Sequence, residues 1–156
     1  MTFIIKGLPV EEFQPLFGLS DAMLAARGVL RRTADTKPGF PCRITLEDAE
    51  PGETLLLMNY ESHKAATPYR SAFAIFVREN AVAAPTFIDE MPPVMAHRPI
   101  ALRIFDEAGM LIGADLGRNG AETRDKINSA FDDPKAAYIH AHNAKHGCFA
   151  AAVTRG

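Results

Sequence analysis

The sequence has no tryptophan, only two cysteines, no long apolar run and little excess of either charge. A membrane helix needs about 20 consecutive apolar residues and a signal peptide needs about 7–15 near the N-terminus, whereas the first apolar run ends at Lys6. We therefore expect a cytoplasmic protein with no membrane partner. Cys42 and Cys148 are too few for a disulfide framework, so free thiols are expected in that reducing compartment.

The charge is nearly balanced, with 17 Lys and Arg against 19 Asp and Glu and a formal net charge of −2. Nucleic acids are bound by clustered positive charge, so no nucleic-acid partner is expected. The chain has 156 residues, of which 47% are hydrophobic. A domain of this length buries roughly 70% of the surface that its unfolded chain exposes. The sequence therefore predicts a single domain over residues 1–156 with an ordinary hydrophobic core.

Short segments rich in β-branched, aromatic and aliphatic residues alternate with turn residues, which is typical of an antiparallel sheet. The predicted strands cover residues 3–6, 29–34, 43–46, 54–60, 73–78, 100–105, 110–114, 138–143 and 148–154. Most connections are too short for the crossovers that join parallel strands.

Two helices are predicted from their capping residues. One follows Ser20 and ends at Gly28; the other follows Asn119 and ends before Pro134. The proline-rich segment 84–99 is expected to be a long ordered loop. The fold class that follows is α+β, a mainly antiparallel sheet with about two helices.

Near the C-terminus the stretch YIHAHNAKHGCF, residues 138–149, holds three histidines and one cysteine. On a strand, Tyr138, His140 and His142 share one face, because alternate side chains point the same way. His140 and His142 can then converge on a metal ion, with His146 or Cys148 as a third ligand. The alternative is that the imidazoles only meet polar neighbours on a half-exposed face. No cofactor is expected, and the metal ion remains the alternative.

Two arginines each end a Pro-X-Arg triplet, Arg43 after Pro-Cys and Arg70 after Pro-Tyr. Proline restricts the preceding residue, and a guanidinium offers a rigid fork for carboxylate or phosphate. Together with Tyr69 and His142, the two arginines are predicted to form a small anion site. The alternative is that they form internal ion pairs with carboxylates, for which the candidates are Asp48, Glu53 and Glu79.

Either cysteine is a candidate nucleophile. Cys42 lies between Pro41 and Arg43, and Cys148 lies two residues after His146. A thiolate needs a nearby cation or imidazole, and only the fold decides whether one is close. The alternative is a buried thiol that packs as a small apolar group. That alternative suits Cys148 better than Cys42, which is the possible nucleophile.

Three stretches resemble a known bacterial family: PGFPCRITLEDAEPGE (38–53), YESHKAATPYRSAFAIFVRE (60–79) and HAHNAKHGCFAA (140–151). The family is the bacterial domain-of-unknown-function family 1203, and the Pro-Cys-Arg, Pro-Tyr-Arg and Asn-x-x-x-Gly-Cys segments are its specific parts. The resemblance implies a soluble bacterial protein of about this length. It implies no activity and no catalytic residue.

The leading hypothesis is a protein that binds a small anionic metabolite in an Arg/His/Cys-lined pocket. The candidate ligand-binding residues are Arg43, Tyr69, Arg70, His142 and Cys148. A cysteine- or metal-dependent enzyme is the first alternative. A module that forms a homodimer through an exposed strand is the second, because a short β-rich chain leaves sheet edges unpaired.

Overall fold

The computed structural model describes residues 2–156, which form two antiparallel sheets and three short α-helices. In chain order the elements are β1 (Phe3–Lys6), α1 (Asp21–Ala25), β2 (Leu30–Thr33), β3 (Thr54–His63), β4 (Ser71–Arg78), β5 (Thr86–Ile88), α2 (Pro93–Ala96), β6 (Ile100–Phe105), β7 (Leu111–Gly117), α3 (Gly120–Phe131), β8 (Tyr138–Asn143) and β9 (Phe149–Arg155). The expected antiparallel, sheet-rich α+β class is confirmed. None of the helices in this part of the chain is long and apolar enough to span a membrane.

The larger sheet has six strands in the order β5-β1-β9-β8-β6-β7. Its centre is β8, which pairs with β9 on one side and β6 on the other. Ile139 and Ala141 of β8 face a core that α3 covers through Ile127 and Phe131. The alternate residues of β8, which include His140, occupy the opposite face. The sheet therefore presents its aliphatic side to α3 and its imidazoles to the rest of the molecule.

The smaller sheet has three strands in the order β2-β3-β4. One face of β3 and β4, with Leu56 and Ile75 at its centre, packs under Leu24 of α1 and Phe13 of the preceding 3₁₀ turns. Rings from this sheet also contact rings of the larger one, since Phe73 of β4 meets His142 at 4.9 Å between centroids. The two sheets thus meet on the imidazole face of β8.

The helix caps match the sequence prediction. The Ser20 hydroxyl accepts the N–H of Met23, and the Asn119 side chain accepts the N–H of Glu122 at 2.9 Å. Each bond satisfies a donor that has no partner within its helix. Gly28 follows α1 with a φ of 71°, the left-handed conformation that a glycine adopts without a Cβ clash.

The predicted strand at 43–46 is wrong, because this segment forms a tight turn. Pro41 bridges Asp48 and Cys42 bridges Phe76, but between them the chain reverses, and the N–H of Leu46 donates to the Cys42 carbonyl at 3.0 Å. Leu46 takes a φ of 56°, which is unfavourable for a side chain with a Cβ. Its complete burial in the core offsets that cost.

The predicted loop at 84–99 is also partly wrong, since it contains β5 and α2. The three residues of β5 pair with β1 at the sheet edge, where a short strand between prolines is tolerated. In α2, Pro93 occupies the first helical position, where its missing N–H costs nothing.

Candidate functional site

A pocket of about 560 Å³ lies where the three-stranded sheet meets the β8–β9 turn. Four segments line it: the loop that leads into the turn at 43–46 together with Arg43, residues of β3 and β4, the residues before β6, and the β8–β9 turn. The lining residues are Pro38, Gly39, Pro41, Arg43, Leu57, Phe73, Ala74, Phe76, Arg98, Pro99, Asn143, Lys145, His146 and Cys148.

Arg43 is the most constrained polar group of the pocket. Its guanidinium donates from Nε to the Phe149 carbonyl at 2.8 Å, from Nη1 to the Pro41 carbonyl at 2.7 Å and from Nη2 to Cys148 Sγ at 3.0 Å. The side chain is only 3% exposed. Burial lowers the pKa of Arg43 below its ordinary value, and the adjacent Cys148 sulfur opposes that shift. An arginine nevertheless stays protonated in proteins, so the pocket wall holds a fixed positive charge.

No carboxylate in residues 2–156 forms an ion pair with Arg43. Its polar partners are two carbonyls and one sulfur. Buried charges are ordinarily paired, because removing an ion from water is costly. Arg43 therefore offers a positive charge that an anion in the pocket can complement.

The β8–β9 turn places Cys148 beside Arg43. Gly147 has a φ of 80°, and its N–H donates to the Asn143 carbonyl at 2.7 Å. His142 Nδ1 donates to the Gly147 carbonyl at 2.9 Å, which fixes the hydrogen on Nδ1 because a carbonyl only accepts. Buried His142 thus supports the turn from behind. It does not line the pocket.

Asn143 lines the pocket next to Cys148 and is only 7% exposed. Its Nδ2 donates to Cys148 Sγ at 3.4 Å. Its Oδ1 is buried and has no hydrogen-bond partner within residues 2–156. An unsatisfied buried acceptor costs about 1–3 kcal/mol, so this oxygen marks a place where a ligand donor would be stabilised.

Two further residues of the polar lining, Arg98 and Lys145, are cationic. Arg98 is held by both carboxylate oxygens of Asp48, while Lys145 is exposed on the turn with His146. Burial of Asp48 would raise its pKa, but the hydrogen bonds and charge of Arg98 outweigh burial and lower it below the ordinary value. No aspartate or glutamate stands among the lining residues within the described chain.

Tyr69 and Arg70 lie outside this pocket, so the structure does not bring the two Pro-X-Arg arginines together. Arg70 is exposed and pairs with Glu61 of β3 at 3.1 Å. The Tyr69 ring lies 6.5 Å from that of Phe105, and its carbonyl accepts from His63. The carboxylates considered as partners pair with other arginines: Asp48 with Arg98, Glu53 with Arg78 and Glu79 with Arg31.

The three histidines considered as metal ligands do not converge. His140 and His142 are buried among aromatic rings, whereas His146 is exposed on the turn. Across residues 2–156, no three His, Cys, Asp or Glu side chains form a group able to hold a metal ion. Burial, assisted by the charges of His63, His142 and Arg103, lowers the pKa of His140 to about 3, so its imidazole is neutral.

Cys42 is fully buried, and its sulfur accepts the backbone N–H groups of Ile44, Thr45 and Arg78 at 3.2–3.4 Å. The sulfur therefore organises the tight turn at 43–46 and has no access to solvent. Cys148 is the partly exposed thiol of the pair. This reverses the expectation that Cys148 is the better candidate for a buried packing role.

Sequence reasoning missed Arg98, Asn143, Lys145 and the aromatic wall. Asn143 and Lys145 belong to the same turn segment as Cys148. The sequence therefore points to this segment as part of the site without pointing to these two residues. Phe73 and Phe76 read as ordinary core residues, because a pattern of apolar residues does not reveal which of them line a pocket. Nothing in the sequence around Arg98 indicates the site.

One comparison with known proteins gives a match. The model of a family described as "Protein of unknown function (DUF1203)" matches residues 39–155. The match spans all four segments of the pocket lining except Pro38. No curated protein and no solved structure matches the chain.

Proposed function

The chain belongs to the DUF1203 family, and we propose that it binds a small organic anion in the pocket where the three-stranded sheet meets the β8–β9 turn. The observation that carries the proposal is the buried, carboxylate-free guanidinium of Arg43 in the pocket wall. Enzyme chemistry is not required for this function.

The size and the walls of the pocket define the class of ligand. About 560 Å³ lies within the range of ordinary small-molecule sites. Leu57, Phe73 and Phe76 supply one apolar wall, and Pro41 and Pro99 add to it. The ligand therefore carries an apolar or aromatic body as well as its charged group, which excludes bare inorganic ions as the preferred occupants.

The polar groups define where the charge of the ligand goes. Arg43 and Lys145 provide positive charge, and Asp48 offsets that of Arg98. Oδ1 of Asn143 has no donor within residues 2–156, so the best ligand also carries an O–H or N–H donor near its anionic group. A hydroxy acid with an apolar side chain meets all these requirements.

The test compares matched acids and amides by isothermal titration calorimetry on the full chain. We expect phenylacetate to bind more tightly than phenylacetamide, because only the acid complements the cationic lining. We expect 3-phenyllactate to bind more tightly than 3-phenylpropionate, because its hydroxyl can donate to Asn143 Oδ1. Equal affinities for acid and amide, or no binding of any of the four compounds at millimolar concentration, would contradict the proposal.

A pair of lysine variants isolates the charge. Lys145→Gln removes an exposed cation at the pocket and should weaken phenylacetate binding about threefold, the scale of a solvent-exposed ion pair. It should leave phenylacetamide binding unchanged. Lys135→Gln removes the same charge at the opposite end of β8 and should change neither. If both variants weaken phenylacetate binding equally, the affinity depends on the net charge of the protein and not on a cation at the pocket.

A further inference from the structure

We propose that Cys148 is a nucleophile that attacks an electrophilic carbon of the anion held in this pocket, with Arg43 as its positioning residue. The inference rests on the proposed anion binding and adds a covalent step to it.

The sulfur of Cys148 receives two donors. Arg43 Nη2 lies 3.0 Å from Sγ and Asn143 Nδ2 lies 3.4 Å from it. The other two nitrogens of the Arg43 guanidinium each donate to a backbone carbonyl, so the guanidinium cannot turn away from the sulfur. These contacts hold the sulfur at the pocket wall, where cysteine can act as a nucleophile.

The environment of Cys148 also provides access. Cys148 lines the pocket and is partly exposed, whereas Cys42 is fully buried and surrounded by backbone N–H donors. The molecule thus contains one thiol that a pocket ligand can reach and one that it cannot. Cys42 serves as an internal reference for the reactivity of Cys148.

A second, independent observation indicates a ligand at this sulfur. Asn143 is more than nine-tenths buried, donates to Sγ through one amide atom and leaves Oδ1 without a partner in residues 2–156. Exchanging the amide oxygen and nitrogen would only leave the nitrogen without an acceptor instead. Either way, one buried polar atom of Asn143, a residue that lines the pocket beside the sulfur, lacks a hydrogen-bond partner.

The proposed step is a nucleophilic substitution. The thiol proton passes to water, the sulfur electron pair forms an S–C bond, and the leaving group departs with the electrons of its own bond to carbon. With iodoacetate as the probe, the products are S-carboxymethylated Cys148, iodide and the released proton. No oxidant, reductant or further reactant takes part.

The experiment measures alkylation of the native full chain by iodoacetate and by its neutral analogue iodoacetamide, with each cysteine followed by peptide mass spectrometry. Glutathione under the same conditions provides the baseline ratio of the two rates. We expect the iodoacetate-to-iodoacetamide ratio at Cys148 to exceed that baseline at least threefold, because the pocket attracts the anionic reagent. Cys42 should remain unmodified. Saturating phenylacetate should protect Cys148 from both reagents.

Variants separate charge from positioning. Lys145→Gln should lower the iodoacetate-to-iodoacetamide ratio at Cys148 about threefold, and Lys135→Gln, which lies outside the pocket, should leave both rates unchanged. Arg43→Gln should slow both reagents at least tenfold, and Arg43→Lys, which keeps a cation near Sγ, should recover part of that loss. Substitution of Arg43 also removes two structural hydrogen bonds. If the Arg43 variants fail to fold, the comparison of Lys145→Gln with Lys135→Gln tests the proposal instead.

Two results distinguish this inference from the function on which it rests. If phenylacetate binds but Cys148 reacts no faster than glutathione with either reagent, the nucleophile is overturned and anion binding stands. If phenylacetate does not bind and the ratio at Cys148 equals that of glutathione, both are overturned.

Discussion

At the scale of single residues, Gly7 determines how the turn that carries Arg43 meets the larger sheet. A Cβ at Gly7 would lie 1.8 Å from the carbonyl oxygen of Ile44, a distance that no side chain tolerates. Beside it, the N–H of Leu8 donates to the Arg43 carbonyl at 2.9 Å. The absence of a side chain at position 7 therefore allows the end of β1 to hold the backbone of Arg43 directly.

Gly7→Ala should lower the free energy of unfolding by about 3 kcal/mol, because backbone has to move to accommodate the methyl group. Gly28→Ala is the matched control, since position 28 has open space around it and only a left-handed φ. That control should cost about 1 kcal/mol. Urea denaturation measures both. Equal losses would mean that the contact with Ile44 does not constrain the turn.

Individual site residues were predictable only in part. The Pro-Cys-Arg and Gly-Cys segments indicated Arg43 and Cys148, which the fold brings into contact although they lie 105 positions apart. Arg70 carries the same kind of local pattern but meets Glu61 of β3 across the hairpin. A triplet restrains a side chain without specifying its partner, so the sequence does not distinguish these two arginines.

At the scale of elements, α3 depends on its N-cap as well as on its buried face. Asn119 Oδ1 accepts the Glu122 N–H, and the Asn119 carbonyl accepts both the N–H and the hydroxyl of Thr123. Ile127 and Phe131 then bury the helix against the larger sheet. The cap fixes where the helix begins and so which residues face the core.

Asn119→Ala should cost about 1 kcal/mol of stability, because the N–H of Glu122 loses its acceptor. Ser129→Ala changes a residue of similar size on the exposed side of the same helix. It should be neutral or slightly stabilising, since alanine is the better helix former. Thermal or urea unfolding gives both values. A cap variant as stable as the Ser129 variant would argue against this role of Asn119.

Elements with a strong local pattern were predictable, and those defined by distant contacts were not. Ser20 and Asn119 cap their helices as expected, because capping is a local interaction. The turn at 43–46 was missed because its apolar residues read as a strand, while its shape depends on the sulfur of Cys42 and on burial of Leu46. The prolines around β5 favour a loop, and the strand forms because it pairs with β1, a contact that the local sequence does not reveal.

At the scale of the whole molecule, buried imidazoles lie where the two sheets meet. His140 of β8 lies 5.3 Å from the ring of His63 of β3, and His142 lies 4.9 Å from Phe73 of β4. Burial lowers the pKa of both His140 and His142, to about 3 for His140. Protonating either one in the folded state places an unpaired charge between the sheets.

This arrangement predicts that acid destabilises the fold. Because the folded-state pKa of His140 lies below its unfolded value of 6.5, the unfolded chain binds the proton first. The contribution of His140 to the free energy of unfolding is fully present above about pH 6.5. It is lost as the pH drops from there toward 3, by up to about 1.4 kcal/mol per pH unit for this one group. Urea denaturation at pH 7, 6 and 5 measures the slope.

His140→Gln should flatten that slope, since glutamine does not titrate. His97→Gln, which replaces an exposed histidine, should leave it unchanged. A slope that His140→Gln does not alter would place the acid sensitivity in another group.

The apolar wall of the pocket comes from β3 and β4, and much of its polar lining comes from the β8–β9 turn. Under the proposed anion binding, two separate stretches of chain would therefore set two separate properties of the ligand. Substitutions in the turn can retune which head group is accepted while the hydrocarbon shape stays the same, and substitutions on the sheet can do the reverse. Under that proposal, head-group preference and hydrocarbon preference could change independently of each other, because different segments of the chain carry them.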